Sequence, residues 1–264
     1  MDKTRFQNRV CLITGAGSET GIGYAAAQTI GLSGAKIAIT STTKRIEQRA
    51  STLRSQGIET KAYIADLIDR SQVHHLVETI LADFGRIDIL VNNAGMVQVG
   101  HDDSSSEMAE MAFQEWDTSI ARNLHTCFNV TRVVLPIMIR QQYGRIINVS
   151  SVTGPRVSNP GATSYSAAKA AMIGMSRSLA IEVATKGILV NNVLPGWIAT
   201  GSQTPEEAIA AQNTPMKRAG SPGEVADLIA YLASDEATYI TGQEFIVDGG
   251  NCLQEYKGPS ELYY

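Results

Sequence analysis

Short apolar runs alternate with amphipathic stretches along most of the chain. The runs lie at residues 9–14 (RVCLIT), 36–40 (KIAIT), 60–65 (TKAYIA), 87–91 (IDILV), 145–149 (RIINV), 188–193 (ILVNNV) and 244–247 (EFIV). They are apolar at consecutive positions rather than at every second one, the pattern of strands buried on both faces of a parallel sheet. Between them, residues 23–32 are rich in alanine and residues 44–56 carry charge on one face. Residues 70–84 set Val73, Leu76, Val77, Ile80 and Leu81 on one helical stripe. Residues 116–142 read as one long helix and 167–185 as an alanine- and methionine-rich one. This alternation predicts an α/β fold: a Rossmann-type, doubly wound sheet of seven parallel strands with helices on both faces. Residues 196–223, holding Pro205, Pro215 and Pro222, break the rhythm and read as an irregular excursion from the sheet. No linker divides the pattern, so residues 1–264 are expected to form one domain, with a lid at about 196–217 and a tail at 251–264.

Composition narrows the classes. With 44% hydrophobic and 18% charged residues the chain is globular rather than disordered, and its net charge of −4 offers no overall pull toward nucleic acid or anionic membrane. Cys11, Cys127 and Cys252 form no Cys-x-x-Cys, and His74, His75, His101 and His125 form no His-Glu-x-x-His. Without an apolar amino-terminal or membrane-length run, a reduced, cytoplasmic, metal-free protein is expected, with no nucleic acid or membrane partner.

The first run ends in Gly15-Ala16-Gly17-Ser18-Glu19-Thr20-Gly21-Ile22-Gly23 and opens a helix. A strand that ends in glycines and opens a helix presents backbone N–H groups and a helix dipole to a phosphate; a purely structural turn is the other reading. The second run ends in Thr40-Ser41-Thr42-Thr43-Lys44-Arg45, with no acid to accept from ribose hydroxyls. Hydroxyls and cations there suit a 2′-phosphate, which favours NADP(H) over NAD(H). Alternatively, Lys44 and Arg45 form a solvated first helical turn, and Glu19 speaks against a nearby phosphate.

Tyr165 and Lys169 stand four residues apart, one turn along a helix face. A nearby cation lowers a phenol's pKa and makes it a proton donor and acceptor near neutrality, although such a pair also occurs as an ordinary surface contact. Asn148-Val149-Ser150-Ser151 and Asn92-Asn93-Ala94-Gly95 close two further strands; a serine there could polarise a carbonyl, or both could be polar turns.

Taken in order, these motifs resemble a single-domain short-chain dehydrogenase/reductase over residues 8–250. The family's Thr-Gly-x-x-x-Gly-x-Gly resembles Thr14, Gly15, Gly21 and Gly23, with five residues rather than three between the first two glycines. Asn92–Gly95, Pro195-Gly196 and Asp248-Gly249-Gly250 match further motifs. The resemblance implies a catalytic set of Ser151, Tyr165, Lys169 and Asn123. It implies cofactor contacts from Gly15, Gly17, Ser18, Gly21, Ile22, Gly23, Ser41, Thr42, Thr43, Asp66, Leu67, Asn93, Ala94, Gly95, Tyr165, Lys169, Pro195, Gly196, Ile198 and Thr200. Tyr165 is then the acid that protonates a carbonyl oxygen while its carbon receives hydride. Lys169 lowers the tyrosine pKa and binds the nicotinamide ribose, Ser151 orients the carbonyl, and Asn123 holds a water. The spacing from Ser151 to Tyr165 is one residue longer than in many members. The implied activity is reduction of a ketone, such as a 3-oxoacyl substrate. An alcohol or sugar dehydrogenase working oxidatively and a non-catalytic dinucleotide sensor are the alternatives. Trp197, Ile198, Met96 and Val97 are expected to make the substrate pocket partly apolar. A homotetramer is also implied, with Tyr256, Leu262, Tyr263 and Tyr264 of the tail docking on a neighbour.

Overall fold

A computed structural model describes residues 4–95, 106–255 and 258. Seven strands, β1 (Val10–Thr14), β2 (Lys36–Ser41), β3 (Thr60–Ile64), β4 (Ile89–Asn92), β5 (Gly144–Val149), β6 (Ile188–Pro195) and β7 (Glu244–Val247), form one sheet. Every pairing is parallel, in the order β3-β2-β1-β4-β5-β6-β7. The expected seven-stranded sheet is therefore present.

Strand side chains alternate between two cores. Cys11, Ile13, Ile37, Ile39 and Val91 pack beneath α1 (Ile22–Leu32), α2 (Arg45–Ser55) and a helix at Pro222–Ala233. Leu12, Ala38, Leu90, Ile146 and Val190 face the other way, onto α3 (Arg70–Phe84) and residues of the segments Thr126–Gln141 and Thr163–Val183. The chain winds outward from β1 to β3, then returns to β4 beside β1. The carboxyl ends of β1 and β4 thus part around a crevice at the switch point.

Two expectations fail locally. The long helix expected over 116–142 is α4 (Phe113–Ile120), a π-helical turn (Ala121–His125) and α5 (Thr126–Gln141). The wider turn inserts an extra residue without ending the helix, and Asn123 Nδ2 donates to the Ser119 carbonyl at 3.1 Å. The excursion over 196–223 is not wholly irregular. It contains α7 (Pro205–Gln212) and leads into α8 (Pro222–Ala233). Both helices begin with proline after a reciprocal cap, Thr204 with Glu207 and Ser221 with Glu224. The final long helix, α6, spans Thr163–Val183.

A buried polar network ties the strand ends together. Asn92 Nδ2 donates to Asn148 Oδ1 and to Thr131 Oγ1, both at 2.8 Å. Asn148 Nδ2 donates to Ser176 Oγ at 2.8 Å, and Ser176 Oγ donates to Asn192 Oδ1 at 2.7 Å. The network links β4, β5 and β6 to α5 and α6, immediately below the crevice.

Candidate active site

The turn after β1 is shaped by close backbone approach. Gly15 has φ +68°, and a Cβ there would lie 2.8 Å from Ala94 Cα. Asn93 Nδ2 donates to the Thr14 and Gly15 carbonyls, each at 3.0 Å, and would meet a Cβ on Gly23 at 2.5 Å. The Thr14 hydroxyl oxygen accepts from the backbone N–H of Asn93 and Ala94 at 3.0 and 2.9 Å. Helix α1 has Gly21 at its N-cap, with no side-chain cap and no acid in its first turn. Its leading N–H groups therefore point into the crevice without helical partners, beside a positive dipole end. That cradle fits a pyrophosphate. Glu19, in the same turn, is drawn away onto α2, where its carboxylate meets Arg49 Nη1 at 2.8 Å.

Along one bank of the same cleft stand Ser41, Thr42, Arg45, Asp66 and Leu67. Arg45 Nε donates to Thr43 Oγ1 at 3.2 Å, and the Ser41 hydroxyl donates to the Thr43 carbonyl at 3.1 Å. Gly17 lies so close to Ser41 that a Cβ would meet its Oγ at 3.1 Å. Gly23 and Thr43, two of the expected cofactor residues, are not part of the cleft wall. Gly23 serves the contact with Asn93, and Thr43 is held by Ser41 and Arg45.

At the other end, α6 carries Tyr165 and Lys169 into the cleft. Lys169 is buried, and its Nζ donates to the Val149 carbonyl at 3.1 Å while standing 5.6 Å from the centre of the Tyr165 ring. The Ser150 hydroxyl is committed to the Lys169 carbonyl at 2.9 Å. Ser151 is the serine that faces the reacting space: its Oγ accepts from Thr153 N at 3.0 Å and lies within hydrogen-bonding reach of the Tyr165 phenol. Asn123 reaches the same place from the π-helical turn. A Cβ on Gly95 would lie 2.9 Å from Asn123 Oδ1 and 3.3 Å from Lys169 Nζ, so only glycine lets the β4 loop pass between them.

The electrostatics of this arrangement differ from the sequence expectation. Burial pushes the Tyr165 phenol up to about 12, against the bond from Ser151 and with a smaller push from Glu207. Burial pulls the Lys169 ammonium down to about 8. Loss of solvent is the largest cause at both groups, and Nζ gives its hydrogen bond to a backbone carbonyl.

Pro195, Gly196, Ile198 and Thr200 line the cleft beyond β6. A Cβ on Gly196 would meet Asp248 Cβ at 2.7 Å, and Asp248 in turn accepts from the N–H of Gly250 and Cys252 at 2.8 and 2.7 Å. The whole cleft measures about 1420 Å³. Its substrate end combines Val157, Trp197 and Ile209 with Ser158, Asn159, Glu206 and Glu207. The apolar wall expected from Trp197 and Ile198 is thus only part of the lining; Met96, Val97 and the tail residues Tyr256 and Leu262–Tyr264 lie outside the described residues.

A family model described as enoyl-(acyl carrier protein) reductase matches residues 15–251. The chain is 42% identical over 253 residues to the 3-oxoacyl-[acyl-carrier-protein] reductase FabG of Thermotoga maritima, covering 93% of this chain and 98% of that one. The chain belongs to the short-chain dehydrogenases/reductases. Oxidoreductase UcpA of Escherichia coli K12 is 38% identical over 263 residues, covering 95% and 97% of the two chains. A solved structure from Burkholderia xenovorans, assigned to the same family, superposes with a TM-score of 0.88 at 33% identity, covering 95% of this chain and 99% of that one. As a short-chain dehydrogenase/reductase, the protein is an NAD(P)H-dependent oxidoreductase acting on carbonyl and secondary-alcohol groups.

The sequence-derived catalytic residues Ser151, Tyr165, Lys169 and Asn123 all line one cleft with the glycine turn. Arg45, one of the two cations read from the second strand's end, stands on the wall, while Lys44 does not. Two specific effects were not foreseen, the Thr153 N–H bond to Ser151 and the push of Glu207 on the Tyr165 phenol. The Thr-Pro-Glu-Glu string at 204–207 was the available signal for α7, since it spells a capped helix start. Among the described residues, no helix is long and apolar enough to cross a membrane and no cluster suited to a metal ion occurs.

Proposed function

We propose that the protein reduces a ketone, of 3-oxoacyl or related type, to a secondary alcohol with NADPH. One observation carries the reading: Ser151, Tyr165 and Lys169 stand at one end of a continuous cleft whose other end offers Ser41, Thr42 and Arg45. The hydroxyls and guanidinium there suit a 2′-phosphate. Glu19 no longer argues against that anion, because Arg49 meets its charge. The name of the Thermotoga maritima relative supports the 3-oxoacyl class.

When bound, the dinucleotide supplies hydride to the carbonyl carbon. The chain's own part is position and charge. The Ser151 hydroxyl donates to the substrate oxygen, its orientation fixed by the Thr153 N–H. Tyr165, protonated throughout the neutral range, delivers its proton to that oxygen. Lys169 holds the ribose end and restores positive charge near the phenol, and Asn123 holds a water behind it. The assembly proposed is a homotetramer, supported by exposed apolar residues on α5 and α6 (Phe128 at 44% and Ile181 at 82% exposure). Size-exclusion elution at the monomer volume would overturn it.

The decisive experiment follows nicotinamide absorbance with a panel of ketones and a 3-oxoacyl thioester, using NADPH and NADH in parallel. Faster oxidation of NADPH is the expected result. Turnover only of alcohols with NAD⁺ selects the oxidative dehydrogenase, and no turnover with either dinucleotide removes the catalytic reading.

A further inference from the structure

The glycine turn holds five residues between Gly15 and Gly21, the last three being Ser18, Glu19 and Thr20. The Gly21 N–H donates to the Ser18 carbonyl at 3.2 Å and folds the segment back on itself. Glu19 points to one side, onto α2, where it pairs with Arg49 at 2.8 Å. The Arg49 side chain is 12% exposed and that of Glu19 68%, so the pair is fixed at its arginine end while the carboxylate stands at the surface.

Thr20 reaches the opposite way, across the cleft. A Cβ built on Gly201 would stand 2.8 Å from Thr20 Oγ1 and 3.4 Å from Ser18 Oγ. Gly201 follows Thr200 at the start of the segment that carries α7, and Thr200 and Ser202 Oγ atoms are 3.0 Å apart there. Ser18 and Gly21 on one side, and Thr200, Gly201 and Ser202 on the other, line the same cleft. The turn and the α7 segment therefore touch over the rim of the cradle at the amino end of α1.

We propose that Ser18, Glu19 and Thr20 form a latch that joins the phosphate cradle to the α7 segment and sets the rate of dinucleotide release. The proposal rests on the reading that this cleft binds a nicotinamide dinucleotide. A pyrophosphate held by the amino end of α1 would sit beside the contact between Thr20 and Gly201, so that its departure would require that contact to part. Glu19 and Arg49 keep the turn in the position from which Thr20 reaches Gly201. Glu19 and Thr20 are thus positioning residues that act on the lifetime of the bound state and leave proton transfer to Tyr165. Where release limits turnover, loosening the latch raises kcat while weakening dinucleotide binding.

The test is stopped-flow displacement of NADPH, read by nicotinamide fluorescence, in the full-length protein and in Glu19→Gln, Thr20→Ala, the double variant and Thr20→Ser. Each of the first two is expected to speed dissociation roughly threefold to tenfold with little change in association, since contact losses of this kind act mainly on off-rates. The double variant should match the faster single one, because both release the same contact. Thr20→Ser keeps the hydroxyl and should keep the parent rate. Unchanged thermal melting of the unliganded variants separates this effect from damage to the fold. Parent-like dissociation in both single variants, or additive effects in the double variant, overturns the latch alone. Failure of the parent to bind either NADPH or NADH overturns the dinucleotide reading and the latch with it.

Discussion

Lys169 Nζ stands 5.6 Å from the centre of the Tyr165 ring and donates its hydrogen bond to the Val149 carbonyl, at 3.1 Å. The two groups share a helix face without being bonded to each other. Burial holds the proton on the phenol, at about 12, while the ammonium is the group nearer its titration point, at about 8. That ordering suits a reductase, whose first need is a protonated acid beside the carbonyl oxygen.

Tyr165→Phe removes the acid and little else, because the ring stays. The kcat for ketone reduction should fall by about 10²–10⁴, with NADPH affinity within about twofold of the parent. Pre-steady-state turnover and fluorescence titration check the two halves. Turnover at the parental rate would remove Tyr165 from the chemistry.

Lys169 is held against the cost of burying its charge. Its pKa is pulled from an ordinary 10.5 to about 8, which corresponds to roughly 3 kcal/mol of lost stability while both folded and unfolded forms are charged. Between about pH 8 and 10.5 the unfolded chain binds the proton that the folded chain has released. The parent's stability from this group therefore rises with pH across that window. Lys169→Met, which has no charge to bury, should be more stable than the parent at pH 7 by up to about 3 kcal/mol. The advantage should fade as pH climbs to 10.5, and the variant should be inactive. Urea denaturation at pH 7 and pH 10.5 measures the difference; a constant gap between the two pH values would refute the account. In the parent, kcat/KM for reduction should decline above about pH 8 as the ammonium discharges.

Ser41 stands where an acid would select NAD(H), with its Oγ 3.1 Å from a Cβ built on Gly17. Ser41→Asp puts a carboxylate where the 2′-phosphate is proposed to lie and offers an acceptor to the ribose hydroxyls. The ratio of kcat/KM for NADPH over NADH should fall at least tenfold, the equivalent of about 1.4 kcal/mol. Steady-state kinetics with both dinucleotides decide it, and an unmoved ratio would place the selector elsewhere.

The fold was legible because its strands are unusually plain. Runs such as 10–14 and 145–149 are apolar without alternation, and both faces of the sheet are in fact covered. Tyr165, Lys169 and Ser151 were legible because a helical turn and a strand end fix where they point. The π-helical turn at Ala121–His125 was not legible: nothing in the apolar pattern distinguishes one extra residue in a long helix. Helix α8 escaped for a different reason. Its core residues Val225, Ala226, Ile229 and Ala230 follow a proline-rich stretch that masks a capped start. The pKa ordering of Tyr165 and Lys169 depends on burial and on the direction of one N–H bond, quantities that sequence spacing does not contain.

Gly95 offers a steric test of the catalytic geometry. Gly95→Ala drives a methyl group to within 2.9 Å of Asn123 Oδ1 and 3.3 Å of Lys169 Nζ, so one or both must move. Displacement of about an ångström in a positioned site costs on the order of a hundredfold in rate. The expected result is a kcat loss of that order with only a small change in melting temperature, because the methyl faces the cleft rather than the core. A stability loss without a kcat loss would show that the gap is structural.

The polar network beneath the site predicts the opposite partition. Asn148 is 1% exposed. It accepts from Asn92 at 2.8 Å and donates to Ser176 at 2.8 Å, joining β4, β5 and α6 through one amide. Replacing it with Leu keeps much of the volume but leaves one Asn92 amide N–H without its acceptor. It also removes a donor to Ser176 Oγ and the Asn148 Oδ1 contact of the Cys127 thiol at 3.4 Å, while Ser176 keeps Asn192 and Asn92 keeps Thr131. A buried group left without a partner costs about 1–3 kcal/mol, so Asn148→Leu should destabilise by at least about that much, more than its size change predicts. Some of that loss should return in Asn148→Leu/Asn92→Leu, where one stranded amide is removed along with its former partner. Since Ser151 and Tyr165 are not members of the network, the folded fraction of Asn148→Leu should retain kcat within about tenfold, a smaller effect than loss of the general acid. Denaturant midpoints for the single and double variants, with active-site concentration measured by dinucleotide titration, separate the two effects; a double variant no more stable than the single one would show that the amides do not act as a unit.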